Sequence, residues 1–334
     1  MIQTNITNSQ DNHKARHCEE RSNPDYCFFI FAVILLFTAC ETPISIKLPE
    51  KAGTTVIEGW IENDKTATVV ISRSMSFYST IDLNTIFNSA DTTATVIITD
   101  DLGNSETLQL GFSFEHIYGL LGRAYIGKTL KGIPGHTYNL YVKTAKGEEY
   151  TAQTYIPEKT VRIDSMAIVI KNPATDTALP VRVYISDDPT SYDCYRFFTN
   201  VSNLKIQGSI FMEGFKRYYS PVTCFDDLTF NGQNLVFELY RSSASNLSFS
   251  SMSREERREF YRNTYRPGDT IHIRSALTDI YTYKYWFALQ LDMESGGMNP
   301  MVVPGHYKTN IIGKNVTGIW SGYHARYDVV VFPK

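Results

Sequence analysis

One stretch of this chain spells out a chemistry letter for letter. Gly122 to Thr129, GRAYIGKT, matches the phosphate-binding loop Gly-x-x-x-x-Gly-Lys-Thr. In a working loop of that kind, a strand feeds a helix whose free backbone N–H groups face the phosphates. Here the following residues are LKGIPGH, and Gly132, Pro134 and Gly135 forbid that helix. The stretch is therefore expected to be a β-hairpin, and the match accidental.

Acidic pairs stand at Asp100–Asp101, Asp187–Asp188 and Asp226–Asp227. Paired carboxylates suit calcium or general acid–base work. Each pair also lies in or beside a turn, where aspartate is favoured for bonding its own backbone. Asp226–Asp227, next to Asn231–Gly232, stands nearest to a calcium loop. His116, His136, His272, His306 and His324 form no His-Glu-x-x-His and no other recognised ligand spacing. No Gly-x-Ser-x-Gly is present. No catalytic residue, metal site or cofactor is assigned on this reading, and a non-enzyme is expected.

Of the five cysteines, Cys194 and Cys224 lie in the body of the chain. They either form a disulfide, worth about 3–4 kcal/mol for a loop of roughly 30 residues, or stand as two separately buried thiols. Cys40 belongs to a different pattern. Phe28 to Cys40, FFIFAVILLFTAC, is an apolar run closed by Thr38, Ala39 and the cysteine. It reads as a bacterial lipoprotein signal with Cys40 as the lipidated residue, and it is too short for a permanent membrane span. Residues 1–39 are thus expected to be leader and signal peptide. Acidic Asp11, Glu19, Glu20 and Asp25 offset the basic residues of the leader, so residues 1–26 are expected to be an over-extended start. Residues 40–52 follow as a lipidated tether.

The elements that must position any site are strands. The whole chain is 43% apolar, 13% aromatic and 20% charged, with a formal net charge of −3. This is a globular composition, without the basic face that nucleic acid requires. From residue 53, segments rich in Val, Ile and aromatics recur every eight to twelve residues between turn clusters such as DLGN (101–104), where Gly103 or Asn104 takes positive φ. The fold class expected is mainly β: an immunoglobulin-like β-sandwich over 53–157, then a second β-rich domain over 158–334 with one or two short helices. One helix is expected in SMSREERREFYRN, where Ser253 and Glu256 make a capping box, its charges forming a solvated face. The other lies in TDIYTYKYWFALQLDMES, where Ile280, Tyr283, Phe287 and Leu291 recur at helical spacing behind Thr278–Asp279. Near the end, Asn299, Pro300, Trp320 and Tyr323 either face a partner or, for the two aromatics, fill the core and rim of a sandwich.

Several stretches together resemble one family, the uncharacterised outer-membrane lipoproteins of Bacteroidota whose genes often lie beside TonB-dependent receptors of the SusC type. They are Cys40–Glu41, VIEGWIENDKTATVVISRS (56–74), ITDDLGN (98–104), PGHTYNLYV (134–142), YTAQTYIP (150–157) and IDSM (163–166). NGQNLVFEL (231–239), GD (268–269), SGGMNP (295–300), Pro304 and NIIG (310–313) continue the series in order. The resemblance implies lipid anchoring at the outer membrane and β-rich domains, and it carries no catalytic residue across. The function expected is a non-enzymatic accessory to a TonB-dependent receptor. The alternative is a lipid-anchored protein that binds glycan or peptide itself, and a tethered hydrolase is a third. The second reading requires several aromatics on one face; the third requires convergent acid, base or metal groups.

Overall fold

A computed structural model of the chain describes residues 53–74, 89–113, 123–176, 178–202, 219–241, 254, 264–294 and 307–334. Cys40 and its tether, Asn299, Pro300, Gly122, His116, His306 and all but Arg254 of the capping-box segment lie outside the described residues.

Eight strands make one large mixed sheet. They are β1 (Thr55–Glu62), β2 (Thr66–Arg73), β5 (Gln109–Phe112), β6 (Arg123–Lys131), β11 (Cys194–Val201), β12 (Ser220–Asp226), β14 (Thr270–Thr278) and β15 (Val316–Val331), in the order β12-β11-β14-β15-β1-β2-β6-β5. A four-stranded sheet, β4-β3-β7-β8, uses β3 (Thr95–Asp100), β4 (Ser105–Thr107), β7 (Thr137–Lys143) and β8 (Glu149–Tyr155). A three-stranded sheet, β13-β10-β9, uses β9 (Ile163–Ala167), β10 (Val181–Ser186) and β13 (Asn234–Leu239). The expected second helix is present as α1 (Ile280–Glu294). Asp279 caps it, its Oδ1 accepting the N–H groups of Tyr281 (2.8 Å) and Thr282 (2.9 Å). Among the described residues no helix is long and apolar enough to cross a membrane.

Both small sheets pack on one face of the large sheet, over different halves of it. Ile57, Ile61, Val69 and Ile71 meet Val96, Ile98, Tyr138, Leu140 and Val142 in a first core. Tyr195, Phe197, Ile271 and Ile273 meet Val181, Val183, Ile185 and Leu239 in a second. Period-two alternation explains the partition: in β8, Tyr150, Ala152 and Thr154 point inward while Glu149, Thr151 and Gln153 point out. The first core also takes Ile311 and Trp320 from the end of the chain, and the large sheet runs through both cores. Its long last strand, β15, pairs antiparallel with β14 and parallel with β1. Trp320 on that strand is fully buried in the first core, and its indole N–H donates to the Tyr138 carbonyl at 2.9 Å.

The phosphate-loop look-alike is strand β6, with no helix after it. Its Gly127–Leu130 portion bulges out of register with β2, and the N–H groups this frees are satisfied by Glu106. The carboxylate accepts from Lys128 (2.6 Å), Thr129 (3.0 Å) and Leu130 (2.7 Å). Burial alone would raise the Glu106 carboxyl; the three N–H donors outweigh it and hold the group below its ordinary 4.5. The resulting stabilisation is complete above the unfolded-state value and is lost as pH falls through the folded one. Melting of wild type and Glu106→Gln should therefore differ most near neutrality and converge as pH falls through the lowered folded-state value. A constant offset at all pH values would show that the carboxylate charge is irrelevant here.

Candidate functional site

The face of the large sheet away from the two cores carries the chemistry. Because Trp320 points into the first core, Ile319, Ser321 and Tyr323 point to the opposite face. The same alternation on β11 sends Tyr195 and Phe197 to the second core and Cys194, Arg196 and Phe198 to the other side. Helix α1 lies over part of this face and buries Tyr283, Tyr285 and Trp286 against it. What remains is a recess of about 60 Å³, room for a few waters or one acidic group.

Two arginines floor the recess. Arg196 is 4% exposed. Its guanidinium carbon lies 3.8 Å from the Trp286 ring centroid and 4.6 Å from that of Phe198, and it donates to the Tyr323 hydroxyl. Arg274 reaches the Phe198 and Tyr323 rings from β14 and pairs with Glu62 Oε2 at 2.5 Å. Glu62 also takes Lys65 at 3.1 Å and accepts from the Tyr327 hydroxyl at 2.5 Å. Burial pushes the Glu62 carboxyl up, but Arg274 and Lys65 more than offset it and hold the group below the usual range. Glu62 is thus committed to Arg274 and Lys65, and among the described residues no carboxylate pairs with Arg196. Burial raises Tyr323, so its hydroxyl keeps its proton beside Arg196.

Cys194 and Cys224 sit on adjacent strands of this face, with Cys194 opposite Asp226 and Arg196 opposite Cys224. Both are buried thiols beneath α1, unbonded to one another. Burial pushes Cys224 up to about 12 and raises Cys194 further, which leaves both inert as nucleophiles. Trp320 and Tyr323 are 0% and 3% exposed. Neither is presented to a partner at the surface: one fills a core and the other floors the recess.

The acidic pairs part company. Asp100 and Asp101 serve turns: Asp100 Oδ1 accepts from Leu102 and Asn104, and Asp101 meets His136 Nδ1 at 2.7 Å. The other two pairs are brought together by the fold. Carboxylate oxygens of Asp187, Asp193 and Asp227 lie within 4.8 Å of one another, and theirs is the one such grouping among the described residues. His272 and His324 join no such grouping, and His324 Nδ1 lies 3.0 Å from the Pro157 carbonyl.

Sequence reasoning missed Arg196, Arg274, Glu62 and Asp193. The only signal for Arg196 was its charge in the middle of the apolar run CYRFF, since arginine is almost never fully buried without a partner.

The architecture is that of a mainly β protein with one helix among the described residues and an aromatic recess floored by arginine. Residues 41–327 match the family described as "Domain of unknown function (DUF4249)", and the chain belongs to that family. No curated protein matches it.

Proposed function

We propose that the chain is a non-enzymatic, lipid-anchored protein of the outer membrane that captures a ligand by an acidic group bound at Arg196. The supporting observation is the state of that guanidinium: buried, ringed by aromatics, and without a carboxylate among the described residues. Burying an unpaired charge costs several kcal/mol, roughly, after relaxation. A ligand carboxylate, sulfate or phosphate would supply the missing charge through paired N–H donors. Trp286, Phe198 and Tyr323 line the recess and would enclose that acidic group alone, the rest of the ligand lying outside it. Lipidation at Cys40 would hold the recess near the membrane, where effective concentration is high.

The test uses the full lipoprotein in detergent and a panel of acidic oligosaccharides and peptides, each paired with its methyl ester. Acidic members should bind at least ~10-fold more tightly than their esters, and Arg196→Gln should erase the difference. Equal binding of acid and ester, or an unaffected variant, would overturn the assignment.

An accessory role beside a TonB-dependent receptor is a second reading. It is favoured by an apolar strip that starts at the mouth of the recess: Tyr327, Val329 and Val331 of β15 are 42%, 58% and 60% exposed. Strips of that kind mark partner surfaces. A detergent pull-down from native membranes that repeatedly recovers no receptor would remove this reading and leave capture untouched.

A further inference from the structure

We propose that Asp187, Asp193 and Asp227 bind a divalent cation of the calcium class, which ties the loop entering β11 to the turn between β12 and β13. The three carboxylates come from two stretches of chain, the β10–β11 loop and the end of β12. Asp187 follows β10, Asp193 precedes β11, and Asp227 follows β12. Their exposures are 5%, 9% and 0%, so water does little to separate their charges. The flanking groups are already engaged elsewhere: Lys159 pairs with Asp188 at 2.5 Å, and Asp226 accepts from the Tyr192 hydroxyl at 2.5 Å.

A buried acidic cluster can be held by hydrogen bonds alone, and part of this one is. Asp187 accepts the Gly232 N–H at 2.7 Å and the Tyr195 hydroxyl. Asp227 Oδ2 accepts the Asp193 N–H at 2.9 Å. The remaining oxygen, Asp227 Oδ1, is fully buried and has no hydrogen-bond partner. A buried carboxylate oxygen left without a donor is costly. A cation between the three carboxylates would satisfy it and neutralise the cluster together.

The donor set selects the ion. Every available atom is oxygen, with no imidazole or thiolate in the group, which disfavours zinc and copper. A cluster closed in by protein suits Ca²⁺, which accepts irregular oxygen cages. Mg²⁺ instead keeps several waters in a strict octahedron.

Terbium reports on the site directly, because Tyr195 is hydrogen-bonded to one ligand and can sensitise its emission. The full lipoprotein in detergent, stripped with chelator, is titrated with Tb³⁺ under tyrosine excitation. Saturable emission is expected, displaced by Ca²⁺ and not by equimolar Mg²⁺. Asp193→Asn and Asp227→Asn should each weaken Tb³⁺ binding at least ~10-fold, while Asp226→Asn should leave it unchanged. Should the variants fail to fold, the wild type still decides, since Ca²⁺ and not Mg²⁺ should raise its melting temperature after chelation. Absent emission with no Ca²⁺-dependent shift would overturn the proposal and leave a shared proton in the cluster. Emission that survives both variants would overturn it equally, as adventitious binding at Asp188 or Asp226.

Discussion

Replacing Gly318 by alanine is expected to lower the unfolding free energy by about 2–6 kcal/mol, ~1–3 from backbone strain and ~1–3 from overpacking. Gly318 has φ +120°, and a Cβ there would lie 1.9 Å from the Ile57 carbonyl oxygen. Ile57 is its register partner in the parallel β1–β15 pair. No side-chain rearrangement relieves the contact, because the atom met is backbone. The strands would have to separate where Trp320, two residues on, enters the first core. Gly103 provides the control. Its φ is +89°, but nothing lies within 4 Å of an added Cβ, so Gly103→Ala should cost only the strain, about 1–2 kcal/mol. Urea unfolding of the two variants beside wild type separates the terms. Equal losses at both positions would show that β1 and β15 are not held at this spacing.

That contact also marks where reading the chain in order stops short. Strand content, the turn at Gly103, the helix behind Asp279 and the failure of the phosphate-loop match were all legible, because each depends on residues near one another in sequence. The pairing of β15 with β1 was not. It joins segments some 260 residues apart, and VTGIWSGYHARYDVVV looks the same whether its partner is a hairpin neighbour or the first strand. The sequence alone suggests two successive β domains, and two cores do form, yet a single sheet backs both. The site was hidden for the same reason. Asp187–Asp188 and Asp226–Asp227 were each visible as turn acids, while the third carboxylate, Asp193, is a lone residue that only the register of β11 against β12 brings alongside. Arg196, Arg274 and Glu62 come from three strands that meet on one face of the sheet.

Glu62→Gln is expected to destabilise the protein by about 3–5 kcal/mol, the loss typical of removing one partner from a buried ion pair. The amide keeps the shape and one acceptor but loses the charge that Arg274 and Lys65 face at 2.5 and 3.1 Å. Arg196, Arg274 and Lys65 would then share the recess with Glu58 as the one carboxylate lining it among the described residues. Two further measurements assign the loss to charge and not to packing. Adding Arg274→Met to the variant removes the cation that faced Glu62 and should recover much of the stability, a coupling a cavity would not produce. Millimolar phosphate, too dilute for general salting-out, should raise the melting temperature of Glu62→Gln more than that of wild type. The added anion would take the place of the missing carboxylate. If Glu62→Gln melts like wild type, the guanidinium groups are solvated well enough without a counter-charge. The argument that Arg196 awaits an acidic ligand would then lose its physical basis, because both claims rest on the cost of a buried cation left alone.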